Sequence, residues 1–323
     1  MCQIGKQRWY RGNDSVFVLV RRTRALFILV SRTFKRLLNQ NKAPAAITDF
    51  ELEVLVMKKI VFIGAGSMAE ALMQGWIKQN VLAAQEIYIT NRSDKERLQF
   101  LHEAYGVNKV EDPAIYQQAD VIILAMKPKD AIMAMRELKS KITAQSAVVS
   151  VLAGVSIATI TQFLGERPIA RVMPNTSATI GMSASGIAFN HKVSATQRSM
   201  FLELLEAIGS VIEVNEDQLH AVTALSGSGP AYIYYLMEAF ERVGTKVGLS
   251  KDTVRLLMTQ TLAGSAEMLK QSTDEPDVLR KKVTSPGGTT EAGIQALEQH
   301  HFHEAIEACI KEAEARSRSL ANG

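Results

Sequence analysis

Cysteine is nearly missing from this sequence. Cys2 and Cys309 are the two in 323 residues, and neither stands at a spacing that suits a zinc site or a redox pair. That scarcity argues against a disulfide-built fold and points to a reducing, cytoplasmic setting. Also lacking is any uncharged apolar run of about 18 residues, so no membrane span is expected. A basic nucleic-acid footprint is missing from most of the chain. The net charge is +4, but residues 1–56 hold ten Lys/Arg against four Asp/Glu, leaving 27 basic and 29 acidic residues elsewhere. Nearly half the composition is apolar (47%), enough to bury a large core, most simply in two domains.

Residues 1–56 differ from the rest. Val16–Val30 is apolar but broken by Arg21, Arg22 and Arg24. The segment reads as a membrane-surface helix, an Arg-rich targeting leader, or upstream sequence translated from a wrongly chosen start. The last is favoured, because Met57 immediately precedes the first strand. The segment is therefore expected to stand outside the fold.

The organising stretch is Lys59–Leu72, KIVFIGAGSMAEAL. A β-branched run predicts a buried strand, and Gly64-Ala65-Gly66-Ser67-Met68-Ala69 turns it into a helix. The first glycine permits a tight turn, the second allows close approach of a pyrophosphate, and Ala69 takes the helix–strand packing position. The N–H groups opening the helix favour the phosphates. Strand and helix then alternate as in a doubly wound parallel sheet. Strands are predicted at 86–90, 120–126, 147–152, 169–173, 181–189 and 211–214, and helices at 69–78, 94–105, 129–140, 157–164 and 196–208. Beyond about Asn215 helical periodicity takes over, with Pro230 and Ser250 opening helices and two more at 291–299 and 303–317. Domains of 57–215 and 216–323 follow. The helices carry more apolar surface than a small domain can cover, which predicts a homodimer. Tyr232, Tyr234 and Tyr235 are expected to pack the helical core.

The end of the second strand bears on the cofactor. An NAD enzyme places an acid there for the ribose 2′-hydroxyl, but this chain has Thr90-Asn91-Arg92-Ser93, which suits a 2′-phosphate and so NADPH, with NADH possible. Ala125-Met126-Lys127-Pro128 follows a later strand on the same edge, where Lys127 can stand near the nicotinamide ribose or phosphates. Two glycine-rich loops occur in the helical half, Leu225–Tyr232 (LSGSGPAY) and Val283–Ile294 (VTSPGGTTEAGI). In the second, Ser285, Gly287, Gly288, Thr289 and Thr290 precede a helix near Glu291, offering hydroxyls and N–H groups as a carboxylate site or merely a cap. His300, His303 and Glu307 can share a helix face but lack a second set of ligands, so no metal is expected.

Taken together, GAGSMA after Met57, AMKP, LSGSGPAY and VTSPGGTTEAGI resemble the pyrroline-5-carboxylate reductase family over the chain from Met57 onward. The resemblance implies NAD(P)H-dependent reduction of 1-pyrroline-5-carboxylate to L-proline, and a Rossmann domain followed by helices that interlock in a dimer, often within a decamer. It implies cofactor contacts from Ile63, Gly64, Ala65, Gly66, Ser67, Met68, Asn91, Ala125, Met126, Lys127 and Pro128, with Val151, Leu152 and Ala153 near the nicotinamide. Ser285, Gly288, Thr289 and Thr290 would hold the substrate carboxylate and ring nitrogen, with Glu216 nearby. Thr290 and Ser285 are the catalytic candidates, Thr290 at the ring nitrogen and Ser285 with the Gly288 and Thr289 amides at the carboxylate. Two positions depart from the pattern: Asp112 stands where Asn is frequent beside the adenine ribose, and Ser177 replaces a proline. Two other functions stay open. A β-hydroxyacid dehydrogenase has a similar plan but needs a helix lysine with Asn four residues on, which Lys246, Lys251 and Lys270 lack. A non-catalytic NADP-binding regulator would not need the carboxylate loop.

Overall fold

The computed structural model describes residues 2–4, 7–11, 17–20 and 59–322. The chain falls into two compact units, Met1–Leu55 and Val56–Gly323. In the first, β1 (Cys2–Ile4), β2 (Gln7–Arg11) and β3 (Phe17–Val20) form an antiparallel sheet in that order. The other residues invoked in the readings of segment 1–56, most of Val16–Val30 among them, lie outside the described residues.

The second unit is built on eight strands: β4 (Ile60–Ile63), β5 (Ile87–Thr90), β6 (Asn108–Lys109), β7 (Val121–Leu124), β8 (Ala147–Ser150), β9 (Ile169–Met173), β10 (Ser183–Phe189) and β11 (Gly209–Glu213). Their order is β11-β10-β9-β8-β7-β4-β5-β6. From β6 to β9 every pairing is parallel. The central strands are buried on both faces, since β7 and β8 have no exposed residue, and this is why they read as unbroken apolar runs rather than alternating ones. One face, including Ile60, Phe62, Val121 and Ile123, packs on α1 (Ser67–Lys78), α2 (Lys95–Tyr105) and α6 (Ala195–Glu206). The other, including Val61, Ile122 and Leu124, packs on α4 (Ala131–Lys139) and α5 (Ile157–Leu164). The short α3 (Ala114–Gln117) and strand β6 were not expected from periodicity, being too short to have one.

The sheet is not parallel throughout. β10 pairs antiparallel with β9, and β11 runs parallel to β10, so both reverse the common direction. The cause is the short connection. Asn175 caps the turn Thr176–Ile180, accepting from the Ser177 N–H, and Gly181 at φ 74° closes it. A parallel return would need a long crossover.

After Asn215 the chain is helical: α7 (Leu219–Val222), a π turn at Thr223–Gly227, α8 (Gly229–Lys246), α9 (Lys251–Gln271), α10 (Pro276–Lys282), α11 (Thr289–Gln299) and α12 (Phe302–Asn322). Ser250 caps α9 through the Thr253 N–H. Val254 is the one buried residue of α9, and α8, α10 and α11 bury none. Tyr234 and Tyr235, expected in the helical core, are exposed within the single chain.

Candidate functional site

The sheet order reverses between β4 and its neighbours β5 and β7, and ligands of such sheets lie at the carboxyl ends of the strands at that point. Five strand ends meet there: Ile63–Met68 after β4, Asn91–Ser93 after β5, Asp112 after β6, Ala125–Pro128 after β7, and Val151–Ala153 after β8. Two backbone bonds knit them together. Gly64 N–H donates to Thr90 O (3.0 Å), and Ala125 N–H donates to Ile63 O (2.9 Å).

The glycines are required in different ways. Gly64 has φ 113°, and a Cβ there would stand 2.6 Å from the Ala125 carbonyl carbon, so neither the conformation nor the space admits another residue. Gly66 caps α1 with extended backbone and no side-chain hydrogen bond. Its surroundings would take a Cβ, whose nearest neighbour would be 4.0 Å away. The demand for glycine therefore comes from the exposed side, where the opening N–H groups of α1 await an anion. Ala69 is fully buried at the packing position. This donor set fits a dinucleotide pyrophosphate.

What surrounds this loop was not legible in local sequence. Arg97, on α2, donates from Nε to Ala65 O (3.0 Å) and pairs through Nη2 with Glu70, in the first turn of α1. Tyr105 O–H donates to the other Glu70 oxygen at 2.7 Å. Burial raises the Glu70 carboxyl, but the bonds from Arg97 and Tyr105 and the charge of Arg97 outweigh it and hold the group below its usual value. At the β5 end, Arg92 stands 3.4 Å from Asp130 and reaches the Met133 sulfur, tying that strand end to α4. Lys127 is exposed and precedes the single turn Pro128–Asp130. Asp112 is exposed, its Oδ1 accepting from the Ala114 N–H at 2.8 Å to start α3. Val151 N–H donates to Leu124 O (3.1 Å), and Leu152 is buried.

The second group lies in the helical half. Ser285-Pro286-Gly287-Gly288 is a tight turn: Gly288 N–H donates to Ser285 O (2.9 Å), and Gly287 takes φ 73°, as a type II turn requires. Gly288 then caps α11. Ser285, Thr289 and Thr290 are exposed in the single chain. The Gly288 amide, expected at a carboxylate, is spent inside the turn, and the Gly287 amide donates to Glu291 Oε2 (2.8 Å). The amides with no carbonyl one turn back are those of Thr289, Thr290 and Glu291, the Ala292 N–H being the first to reach back, to Gly288 O. Among the described residues no hydrogen bond or ion pair joins this turn to the sheet edge.

Glu216 belongs to neither group. Its Oε1 accepts from the Ile157 N–H at the start of α5 (2.7 Å) and from Arg171 Nη1 on β9 (2.7 Å). Arg171 has a side chain only 5% exposed, so this carboxylate is its counter-charge. Nearby, Arg318 of α12 grips Asp217 at 2.6 and 3.0 Å, and His220 Nδ1 lies 2.9 Å from Ser317 Oγ. Gly154, at φ 75°, passes so close to the last turn of α12 that a Cβ would stand 2.7 Å from Leu320 O. The loop after β8 is thus held from two sides by the helical half. Among the described residues no cluster of His, Cys, Asp or Glu suits a metal ion, and no helix is long and apolar enough to cross a membrane.

Comparison with known proteins agrees with both halves. Residues 59–154 match the family model described as NADP oxidoreductase coenzyme F420-dependent, and residues 216–320 match pyrroline-5-carboxylate reductase dimerisation. Pyrroline-5-carboxylate reductase 2 of Bacillus subtilis is 47% identical over 266 residues, 82% of this chain and 95% of that protein. A pyrroline-5-carboxylate reductase of Staphylococcus aureus is 40% identical over 266 residues, 82% and 98% of the two lengths. Among solved structures, the enzyme of that name from Coxiella burnetii superposes with a TM-score of 0.76 at 37% identity, covering 82% of this chain and 99% of that one. The pyrroline carboxylate reductase of Plasmodium falciparum with NADP bound superposes at 0.74 with 28% identity, covering 81% and 98%.

Proposed function

The chain belongs to the pyrroline-5-carboxylate reductase family and reduces 1-pyrroline-5-carboxylate to L-proline with NAD(P)H, and we propose that the turn Ser285–Gly288 and the first residues of α11 are its substrate cradle. The observation that carries this assignment is the opening of α11. Two threonines stand with unpaired amides and hydroxyls at a helix N-terminus, beside an exposed serine hydroxyl. A small anionic ring fits such a place, because the helix dipole and the amides favour its carboxylate without requiring a cation.

Bound NAD(P)H supplies a hydride to the imine carbon. The cradle's part is to hold and orient. The amides of Thr289 and Thr290 and the Ser285 hydroxyl take the carboxylate. The Thr290 hydroxyl hydrogen-bonds the ring nitrogen, which keeps the C=N bond polarised, and the nitrogen takes its proton from solvent as the hydride adds to carbon, giving the amine. An imine needs no strong base, so the chemistry asks for no titrating residue within the turn, and the neighbouring Glu291 carboxylate is held by the Gly287 amide. The edge after β4, β7 and β8 holds the cofactor. Asn91 and Arg92 favour NADPH through its 2′-phosphate, with Arg92 drawn off Asp130 to meet it.

Within the single chain the cradle has no hydrogen bond to the sheet edge, and α8 and α9 leave apolar faces uncovered. A second copy of the chain packed through these helices answers both facts, so a homodimer is the working unit, and a decamer of such dimers is the larger assembly implied by the family resemblance. A reducing cytoplasm suits a chain with two cysteines, of which Cys309 is free. The test follows NADPH oxidation with 1-pyrroline-5-carboxylate. Thr290→Ala is expected to lower kcat by about 10²-fold while NADPH titrates as in wild type, and unchanged turnover would reject the assignment.

A further inference from the structure

We infer that Arg97 is a positioning residue for the cofactor. It sets the Ala65–Gly66 peptide so that the Gly66 amide faces the pyrophosphate, and it cancels the charge that Glu70 would otherwise present there. The inference rests on the cofactor reading of the β4–α1 turn.

Its geometry is simple. No peptide in the described chain is cis, and in a trans peptide C=O and N–H point in opposite directions. Arg97 Nε holds Ala65 O at 3.0 Å, so the Gly66 N–H is aimed away from α2, toward the exposed side of the loop. Released from this bond, the carbonyl could turn outward and set a partial negative charge against the phosphates. Gly66 offers little resistance to such a flip, because glycine tolerates both orientations.

The electrostatics point the same way. Glu70 lies one turn into the helix whose N-terminus takes the anion, within the range over which that end of the dipole acts. A bare carboxylate there would oppose phosphate binding. Instead both of its oxygens are occupied, one by Arg97 Nη2 and one by Tyr105 O–H. One guanidinium thus holds the loop carbonyl with one nitrogen and the acid with another, a division of labour that its planar fork permits and an ammonium does not. The Phe100 ring, 5.3 Å from the Arg97 guanidinium carbon, flanks it on α2.

The test is equilibrium titration of NADPH by its fluorescence, on the full-length protein without imine, alongside melting curves without cofactor. Arg97→Gln is expected to weaken NADPH binding about tenfold or more, as loss of a preorganised donor and exposure of one charge would do. The double variant Arg97→Gln/Glu70→Gln is expected to regain a large part of that loss, since the uncovered charge has gone. A purely structural arginine would not give this recovery, because the second substitution would only loosen the loop further. In turnover the KM for NADPH should follow the titration, with kcat at saturation within about twofold of wild type. Should Arg97→Gln melt before it can be titrated, Arg97→Lys serves in its place. It keeps the charge but cannot hold both partners, and is expected to weaken binding by a smaller factor. Wild-type affinity in the single variant, or no recovery in the double one, overturns the inference. Failure of wild type itself to bind NADPH would instead overturn the cofactor reading.

Discussion

His220 is a titratable side chain whose surroundings carry a consequence for stability near neutral pH. Burial lowers its pKa, the charges of Arg318 and Arg171 lower it further, and the opposing pull of Asp217 and Glu314 does not compensate. The native protein therefore holds the ring neutral, its Nδ1 beside Ser317 Oγ. In the unfolded chain the ring regains its ordinary value of 6.5. On acidification the unfolded state then binds the proton first, so stability is full above that value and is lost as pH falls through it toward the lower native value. The melting temperature should accordingly fall between about pH 7.5 and about pH 5.5, and fall less in His220→Gln. Equal slopes would mean that other groups carry the dependence. Glu216 makes a related point. Its bonds to a buried arginine and to a helix start both fall on Oε1.

At the scale of elements, the joint between the halves depends on a helix interrupted on purpose. Pro230 has no N–H, so the Ser226 carbonyl four residues earlier loses its helical partner. Asn175 supplies the replacement: its Nδ2 donates to Ser226 O at 3.1 Å, and the side chain is 7% exposed. The π turn Thr223–Gly227 takes up the extra residue, with Ser228 N–H reaching back to Thr223 O (2.8 Å). A side chain after β9 thus pins the helix that opens the helical half. Asn175→Ala should cost about 1–3 kcal/mol in denaturant unfolding, the price of a buried carbonyl left without a donor. In a Pro230→Ala background, where an N–H is restored, the same substitution should cost less. An identical cost in both backgrounds would show the two residues to be uncoupled.

Over the whole molecule, the sheet half buries most of its apolar residues and the helical half few of them. Leu256, Leu257 and Leu269 of α9 are 73%, 53% and 50% exposed, and Val243 of α8 is 56% exposed, large apolar side chains that a second copy of the chain would cover. Leu257→Glu is expected to shift the sedimentation coefficient to that of a monomer and to remove imine turnover together with it. A dimer that survived this change would place the interface elsewhere. The same asymmetry explains what could be read in advance. Strands β4, β5, β7, β8 and β9 and helix α5 were legible, because a segment buried on both faces or along one stripe writes its period locally. The apolar stripe of α9 was equally legible, and its excess already pointed to a cover supplied by a second copy of the chain.

Local chemistry alone determined the glycine turn after β4, the caps at Asp94, Ser156, Ser194 and Ser250, and the threonine-rich start of α11, since each depends on neighbours within a few residues. Tertiary structure decided the rest. It laid β11 parallel to β10, set Arg97 on Ala65 across 32 residues, and gave the Glu216 carboxylate to Arg171 across 45. The physical reason is that periodicity reports which face of an element is dry, whereas the partner that a charged group finds depends on how distant elements cross, and no local pattern encodes that.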